Sequence, residues 1–432
     1  MNLKEIVCRI IDEHQDELIG IAKEIYANPE LGYKEFNTAN LIKDQWKKLK
    51  QDYQSDLAVT GVKARVKGRK SRLNVCIIGE MDAVVCPLHP FADPMTGAAH
   101  ACGHHTQIAS MIGCSIGLIK GNLMNALDGD VTFLAVPAEE FIELEYRERL
   151  KKEGRITFFG GKQELIKLGA FDDVDIAMMT HSQTNAKGSK IFAGGSSLGF
   201  VGKTITFTGK EAHAGGAPHE GINALNAAMA SILCIHAQRE TFQDKDSVRV
   251  HPIITKGGDL VNIVPADVHM ETYVRAKNLN AVMDACVKVD RAITGAAYAI
   301  GAQSEIRNIP GYMPLQQDDH LDQIFRANVI TLMGKDNLVE GVDLTGSTDM
   351  GDLGQILPVI HPLVSGFQGS VHSKDFMVND WYTAVILPAK LMAMTVIDLL
   401  EQDCEKGLAV KNSFTPTFNK LTYEAYWNQL IH

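Results

Sequence analysis

The stretch "SRLNVCIIGEMDAV" (residues 71–84) joins a short apolar run to two carboxylates. A continuous apolar run of this kind predicts a strand over residues 73–78 that is buried on both faces. Similar runs predict strands over residues 131–136 and 174–179, and helical segments separate the three. This alternation predicts an α/β fold with a mostly parallel sheet and helices on both of its faces.

The pattern changes near Phe200. From "FVGKTITFTGK" onwards the apolar periodicity predicts strand, helix, two antiparallel strands, helix and strand, which is the ferredoxin-like order. Helix-rich alternation resumes near Asp319. We therefore expect one domain built from residues 1–197 and 312–432, with a smaller α+β domain of residues 198–311 inserted into it, because 432 residues exceed the usual size of a single core.

Composition and charge exclude several functional classes. The 42 Lys and Arg residues against 52 Asp and Glu residues give a net charge of −10, which argues against a nucleic-acid or anionic-membrane partner. No apolar run is expected to approach the roughly 18 residues that a membrane span needs, and the charged N-terminal helix is not expected to be a signal peptide. The eight cysteines form no CxxC pair, which indicates reduced thiols and a cytoplasmic location.

Ionisable side chains follow each predicted strand of the larger domain. They are Glu80 and Asp82 in "GEMD", Glu139 and Glu140 in "PAEE", and His181 in "TH". Ligands of open α/β sheets bind beyond the carboxyl ends of the strands. Each residue alone is more often a turn residue or a core group, but together with the nearby "HACGHH" (residues 100–105) they indicate a metal pocket.

The adjacent carboxylates of "PAEE" are the most informative pair. Neighbouring side chains on an extended segment point in different directions, so one carboxylate can bind a metal while the other faces a water molecule. A divalent cation acidifies such a water, and the second carboxylate can then take its proton. The alternative is that two glutamates at a helix start only complement the helix dipole.

Seven sequence blocks, in this order, resemble the dinuclear metal amidohydrolases that include aminoacylases, hippurate hydrolase and plant auxin-conjugate hydrolases. The resemblance spans roughly residues 20–400 and is strongest to the branch with aminobenzoyl-glutamate hydrolase and dipeptidases acting on basic C-terminal residues. The blocks are "IYANPELGYKEF", "GEMDAV", "HACGHH", "PAEE", "HAGGAPHEGINAL", "VNIVPADVHMETYVRA" and "GSTDMGDLGQILPVIHPLVSG". The resemblance implies a zinc-exopeptidase-like catalytic domain with an inserted lid and dimerisation domain.

The resemblance also implies the metal ligands. Cys102 would bridge two divalent cations, held as a thiolate by both. The remaining ligands would be His104 and His181 on one ion, and Glu140 and His372 on the other. Zinc suits this set, although manganese, cobalt or nickel could occupy it.

Other residues carry further roles by the same resemblance. Glu139 would be the general base, and Asp82 would orient a metal-bound imidazole. From the inserted domain, His213 would stabilise the oxyanion, and Asn262 and Arg275 would hold the amide and carboxylate of the substrate. Since this domain forms the dimer interface in the family, a homodimer is expected.

Three segments stay open at the level of the sequence. His105 replaces an acidic or amide residue of the relatives. The open positions for it are beside a metal ligand, at the rim of the site or in solvent, and it is expected not to bind metal, as is His100. The loop "GSTDMGD" (residues 346–352) either supports the pocket or is an ordinary capping turn. The charged segment "FIELEYRERLKKEGRITFFGG" after "PAEE" is expected to be a solvated surface helix, with a gate over the site as the alternative.

The leading hypothesis is a metal-dependent amidohydrolase that acts on small N-acyl-amino acids or dipeptides. A strict dipeptidase or aminobenzoyl-glutamate hydrolase is the alternative within hydrolases. A catalytically silent protein that binds metal or an amino-acid derivative is the alternative from another class. The presence of Glu139 beside Glu140 argues against the silent protein, because a binder needs no base there.

Overall fold

A computed structural model describes residues 2–431, and the chain divides into two units. The first unit takes in the chain up to Gly195, together with Gln316–Asp343 and Asp352–Lys420. The second takes in Ser196–Leu315, Leu344–Gly351 and the chain from Leu421 onwards. The expected insertion of residues 198–311 lies inside the second unit. The two short additional segments lie far from it in sequence, and nothing in their composition pointed to this assignment.

The first unit is organised around a six-stranded central sheet, whose last four strands are parallel to one another. In spatial order the strands are Tyr53–Leu57, Gly61–Val66, Asp130–Val136, Asn74–Glu80, Ile176–Met178 and Val359–Ile360. Every residue of Asn74–Glu80 and Asp130–Val136 is buried, as a sheet covered on both faces requires. The predicted α/β class with a mostly parallel sheet is confirmed.

Helices supply most of the remaining core of the first unit. Two of them are buried along nearly their whole length: His104–Lys120, which packs on the central strands, and Leu387–Leu400. The other helices of this unit are Leu3–Glu13, Gln15–Ala27, Phe36–Lys48, Leu144–Lys152, Gly161–Lys167, Asp319–Met333 and Glu405–Ser413. Two further helices, Met350–Gly354 and Lys420–Ile431, contain residues of both units.

A second sheet of the first unit was not anticipated from the sequence. Its strands are Leu338–Glu340, Ile191–Ala193, Leu363–Gln368, Met377–Val378 and His181–Thr184. Strand His181–Thr184 runs parallel to Leu363–Gln368, with His181 opposite Leu363. This pairing anchors His181 beside the strand that leads into the loop of His372. The strands are too short for their periodicity to be recognised.

The second unit contains an antiparallel sheet with two helices. The strands occur in the order Arg249–Val250 and Ile253–Lys256, then Asp267–Ala276, Gly199–Thr208 and Gln303–Pro310; the helices are Ala224–Ala237 and Leu279–Ile300. This is the expected ferredoxin-like arrangement. The edge strand is broken at Pro252, because proline has no N–H to donate to the sheet.

Short elements complete the fold. The remaining strands are Val84–Val85, Ala98–Ala99, Ser196–Ser197 and Leu315–Gln316. The 3₁₀ turns are Met124–Ala126, Pro218–Glu220, Arg239–Thr241, Asp244–Asp246, Lys335–Asn337 and Gln402–Cys404, and Tyr382–Ile386 forms a π-helical turn.

One segment departs from the expectation about apolar length. Within residues 2–431, the helical stretch Tyr382–Leu400 has the length and composition of a membrane span. Its residues in the most apolar window are all buried inside the protein, which is also the property of a core helix. The expectation that no apolar segment approaches this length was therefore wrong. Lys390 and Asp398 lie within the segment, but its mean hydropathy still reaches that of a membrane span.

Candidate metal centre

The five predicted metal ligands come together in the first unit. Cys102, His104 and His181 form one group, in which one ligand atom from each residue lies within 4.8 Å of the others. Cys102, Glu140 and His372 form a second group by the same measure. Cys102 therefore belongs to both groups, as a bridging thiolate would.

Distances inside the two groups fit ligands of common ions. The Sγ atom of Cys102 lies 3.3 Å from Nε2 of His181, and Nε2 of His372 lies 3.0 Å from Oε1 of Glu140. Tetrahedral zinc bonds to nitrogen, oxygen and sulfur of about 2.0–2.3 Å place neighbouring ligand atoms about 3.3–3.7 Å apart. The observed separations are therefore close to those of a filled site.

Gly103 allows Cys102 and His104 to face the same space. It occupies the N-cap of helix His104–Lys120 with φ 92°, a left-handed conformation that glycine adopts without strain. A Cβ atom at this position would lie 2.8 Å from Cβ of Ser182, whose hydroxyl donates to the Cys102 carbonyl at 2.8 Å. Any other residue at position 103 would displace the strand that begins with His181.

Asp82 lies against two of the ligands. Nδ1 of His104 donates to the Asp82 backbone carbonyl at 2.8 Å and lies 3.3 Å from the Asp82 carboxylate. The other carboxylate oxygen accepts the backbone N–H of Glu140 at 2.8 Å. Because Nδ1 of His104 is held in this way, its Nε2 is left for a metal.

Buried groups also fix the turn that carries Glu139 and Glu140. Ala138 has φ 55°, and its N–H donates to the Glu35 carboxylate at 2.8 Å. The Arg147 guanidinium donates to the carbonyls of Phe159, at 2.7 Å, and of Glu140. Arg147 is only 1 % exposed, so helix Leu144–Lys152 is not the fully solvated helix that its charges predicted. Here the tertiary structure buries a guanidinium that satisfies backbone carbonyls.

The electrostatics of the site favour bound cations. Burial and the charge of Glu140 raise the pKa of the Cys102 thiol well above its ordinary value. Burial opposes a charge on His104, but the carboxylate of Glu80 and its other partners raise its pKa well above the usual value. Nε2 of His104 and Oε1 of Glu140 are buried and make no hydrogen bond of regular geometry among the described residues, although each lies within 3.1 Å of an ionisable group. Since buried polar atoms are normally satisfied, this donor set fits two divalent metal ions.

Glu139, the predicted base, lies beside these ligands. It forms a third group with His104 and Glu80, again with one atom from each residue within 4.8 Å of the others. One carboxylate oxygen of Glu139 is 3.8 Å from Nε2 of His104. Glu139 thus lies beside His104, which shares a ligand group with Cys102, and Cys102 shares the other group with Glu140.

Two parts of this environment were missed by the sequence reasoning. Lys162 donates to Oε1 of Glu80 at 2.5 Å, and Oε2 of Glu80 lies 3.1 Å from Nε2 of His104. His361 is the other, since its ring lies 5.5 Å from that of His181. An apolar run ending in histidine, "PVIHP", was the available signal for His361. Lys162 carried no signal, because its partner lies 82 positions away.

The histidines left over from "HACGHH" are buried, so a solvent-exposed position for His105 is excluded. His105 is 0 % and His100 1 % exposed, and neither belongs to a ligand group among residues 2–431. The His105 ring packs against Tyr26 at 4.7 Å and against His100 at 5.2 Å between centroids. The structure places both side chains in an aromatic cluster.

The predicted substrate residues all belong to the second unit. His213 is exposed, and its Nδ1 accepts the backbone N–H of Gly216 at 2.8 Å, which leaves Nε2 as the hydrogen-bond donor. Arg275 donates to Ser347 of the "GSTDMGD" loop at 2.9 Å and stacks 5.3 Å from the ring of Phe200. The side chain of Asn262 is exposed.

Comparisons with known proteins identify related hydrolases. The peptidase dimerisation domain of the M20 family matches residues 196–299. The human Xaa-Arg dipeptidase is 27% identical, over 93% of this chain and 89% of its own length. An N-acyl-L-amino acid amidohydrolase of Geobacillus stearothermophilus is 26% identical over 74% of this chain and 83% of its own.

A solved structure agrees in fold. A dinuclear metal-binding peptidase of the M20 family from Bacillus subtilis has a TM-score of 0.70, 22% identity, and coverage of 90% of this chain and 99% of its own. The chain therefore resembles the M20 metal-dependent peptidases and amidohydrolases, and it contains a segment that matches their dimerisation domain. The resemblance inferred from the seven sequence blocks is confirmed.

The similarity to these hydrolases also confirms the general activity. The protein is an enzyme, a metal-dependent hydrolase of amide bonds. The individual roles of its site residues stay predictions, which the geometry above makes testable.

Proposed function

We propose that this enzyme hydrolyses the amide bond of N-acyl-amino acids or dipeptides and releases a free amino acid. The observation that carries the proposal is the juxtaposition of Glu139 with the two ligand groups that share Cys102. The similarity to an N-acyl-L-amino acid amidohydrolase and to an Xaa-Arg dipeptidase supports both substrate classes.

In the proposed mechanism, two divalent ions would be held by Cys102, His104, His181, Glu140 and His372. Once bound, they would polarise the amide carbonyl and acidify a water molecule. Glu139 would take a proton from water and deliver it to the departing nitrogen. Asp82 would keep His104 and Glu140 in place.

We also propose a role toward the substrate for three residues that belong to the second unit. The Nε2 donor of His213 would stabilise the developing oxyanion, a contribution of about 3 kcal/mol for a well-placed donor. Arg275 would bind the substrate carboxylate, since a guanidinium can donate to both oxygens, and Asn262 would hold the amide.

Zinc is the metal we propose, because thiolate, imidazole and carboxylate ligands together suit it. Manganese, cobalt or nickel could occupy the same ligands.

We further propose a cytoplasmic homodimer. The match to a peptidase dimerisation domain and the exposed apolar side chains of Leu233, Leu260 and Val261 support the dimer. The eight unpaired cysteines support the location.

The decisive experiment replaces the proposed base. Glu139→Gln should keep its metal content while turnover of the best substrate falls by about 100-fold or more, because general base catalysis is worth 10²–10⁴-fold. Metal analysis and steady-state kinetics measure both effects. Glu143→Gln is the matched control, since Glu143 pairs with Lys34 and belongs to no ligand group of residues 2–431. A Glu139→Gln enzyme with near-normal turnover would refute the assigned base.

A substrate panel separates the remaining alternatives. Acyl-amino acids, Xaa-Lys, Xaa-Arg and Xaa-Glu dipeptides and aminobenzoyl-glutamate should be assayed side by side. The Xaa-Arg dipeptidase similarity over 93% of the chain makes the dipeptidase the second candidate. A metal-loaded protein that binds these compounds without cleaving any of them would instead be the silent binder.

A further inference from the structure

His361 lies at the edge of the central sheet where the metal ligands gather. It directly follows strand Val359–Ile360, which pairs in parallel with Ile176–Met178. Its backbone N–H donates to Oε1 of Gln317 at 2.7 Å. The next carbonyl, of Pro362, accepts the N–H of His181 at 3.0 Å. The backbone on both sides of His361 is therefore fixed relative to the ligand His181.

The imidazole of His361 lacks a partner in the protein. It is 4 % exposed, and both ring nitrogens are buried without a hydrogen bond to any described residue. A neutral imidazole carries one donor and one acceptor, and leaving such a buried group unsatisfied costs about 1–3 kcal/mol. We therefore expect a bound molecule to supply the hydrogen bonds that the protein does not provide to this imidazole.

The surroundings of His361 identify the place where that molecule sits. The ring stands edge to face with His181, at 5.5 Å between centroids and 72° between planes. Both ring nitrogens are thus available to a molecule that binds beside His181. The other unpartnered histidines, His100 and His105, differ because they pack against one another.

Direct metal ligation by His361 is disfavoured by the geometry. None of the ligand groups found among residues 2–431 contains His361, whereas His181 beside it belongs to one. The remaining occupants of such a polar position are a water molecule and the substrate that displaces it.

We propose that His361 is a substrate-contacting residue, whose imidazole hydrogen-bonds a polar atom of the amide substrate beside His181. Water takes this position in the free enzyme. The inference rests on the proposed amide hydrolysis and adds to it a contact from within the catalytic unit, where the roles above assign substrate contacts only to the second unit.

The test compares His361→Phe, His361→Gln and wild type on the best substrate of the panel. His361→Phe keeps the ring volume but has no polar atom, so it should retain two metal ions per chain and lose about 100-fold in kcat/KM. His361→Gln, which restores a donor and an acceptor, should recover at least part of this loss. His320→Phe, a change of an exposed histidine in the same unit, is the control.

A binding measurement separates this inference from the proposed function. In a Glu139→Gln background, calorimetry with the same substrate should show weaker binding when His361→Phe is added. Unchanged binding and kcat/KM in His361→Phe would overturn the inference, because the imidazole would then bond only a buried water molecule and not the substrate. A fall to one metal ion per chain would overturn it in favour of a ligand role. If the wild-type enzyme hydrolyses none of the substrates, the proposed function is refuted, and the binding comparison alone tests the role of His361. If the wild-type enzyme also binds none of them, both the proposed function and the inference about His361 are refuted.

Discussion

The carboxylate of Asp82 accepts the backbone N–H of Glu140 at 2.8 Å, while its own backbone carbonyl accepts Nδ1–H of His104. One residue thus joins the strand end "GEMD", the turn "PAEE" and the helix that begins at His104. The relationship connects one ligand from each proposed ion, since His104 and Glu140 belong to different ligand groups.

Replacing Asp82 should therefore weaken metal binding without removing a ligand. We expect Asp82→Ala to lower metal affinity by about 10–100-fold, which is typical when a partner of a ligand is lost. Titration with a competing chelator measures the affinity. Asp93→Ala is the control, because Asp93 accepts bonds only within its own exposed loop among the contacts described. Equal affinities of the two variants would contradict the role of Asp82.

Metal binding should release protons. The raised pKa of Cys102, caused by burial and by Glu140, keeps the thiol protonated in the metal-free protein, and His104 with its raised pKa also holds a proton. Both protons must leave before sulfur and nitrogen can bind a cation. Affinity should consequently increase with pH. Calorimetry in buffers of different ionisation enthalpy measures the release, and Cys102→Ser should show a smaller release together with weaker binding. Binding without proton release would contradict this prediction.

Glu35 should make stability depend on pH. Burial and the charge of Asp82 raise the pKa of Glu35 from 4.5 to about 8. Between these values the folded protein binds more protons at this residue than the unfolded chain, so its contribution to the free energy of unfolding decreases as pH rises. Glu35→Gln stays neutral and should lose this part of the slope. Urea unfolding at several pH values from 4.5 to 8 tests it; parallel curves for variant and wild type would exclude the assignment.

Replacing only one partner of the ion pair between Lys162 and Glu80 should destabilise the protein, because the other charge stays buried. Both side chains are 0 % exposed. Lys162→Met removes the lysine cation from the buried Glu80 carboxylate, which keeps Gln107 and His104 as partners, and breaking a buried pair in this way costs about 3–5 kcal/mol. The double variant Glu80→Gln/Lys162→Met removes both charges and should be more stable than Lys162→Met. Urea unfolding of the metal-loaded proteins provides the comparison, and equal stability of the single variant and wild type would refute it.

Local patterns were sufficient for much of this protein. Apolar runs such as residues 73–78 reveal their burial directly, because a strand covered on both faces needs apolar residues at successive positions. Cys102, His104 and Glu140 were recognisable because each lies in a short motif whose residues are adjacent in the chain. Family and general activity followed from the order of these motifs.

The pairings across the fold were decided only by the tertiary structure. Lys162 and Glu80, or His361 and His181, are far apart in the chain, and nothing local distinguishes a buried lysine from a solvated one. Arg147 was misjudged for this reason, since the carbonyls that it satisfies belong to a turn and a loop outside its own helix. The sequence determines which groups are present and the periodicity of each segment. Packing determines which of these groups are removed from water, and this burial changes their pKa and restricts their side-chain conformations.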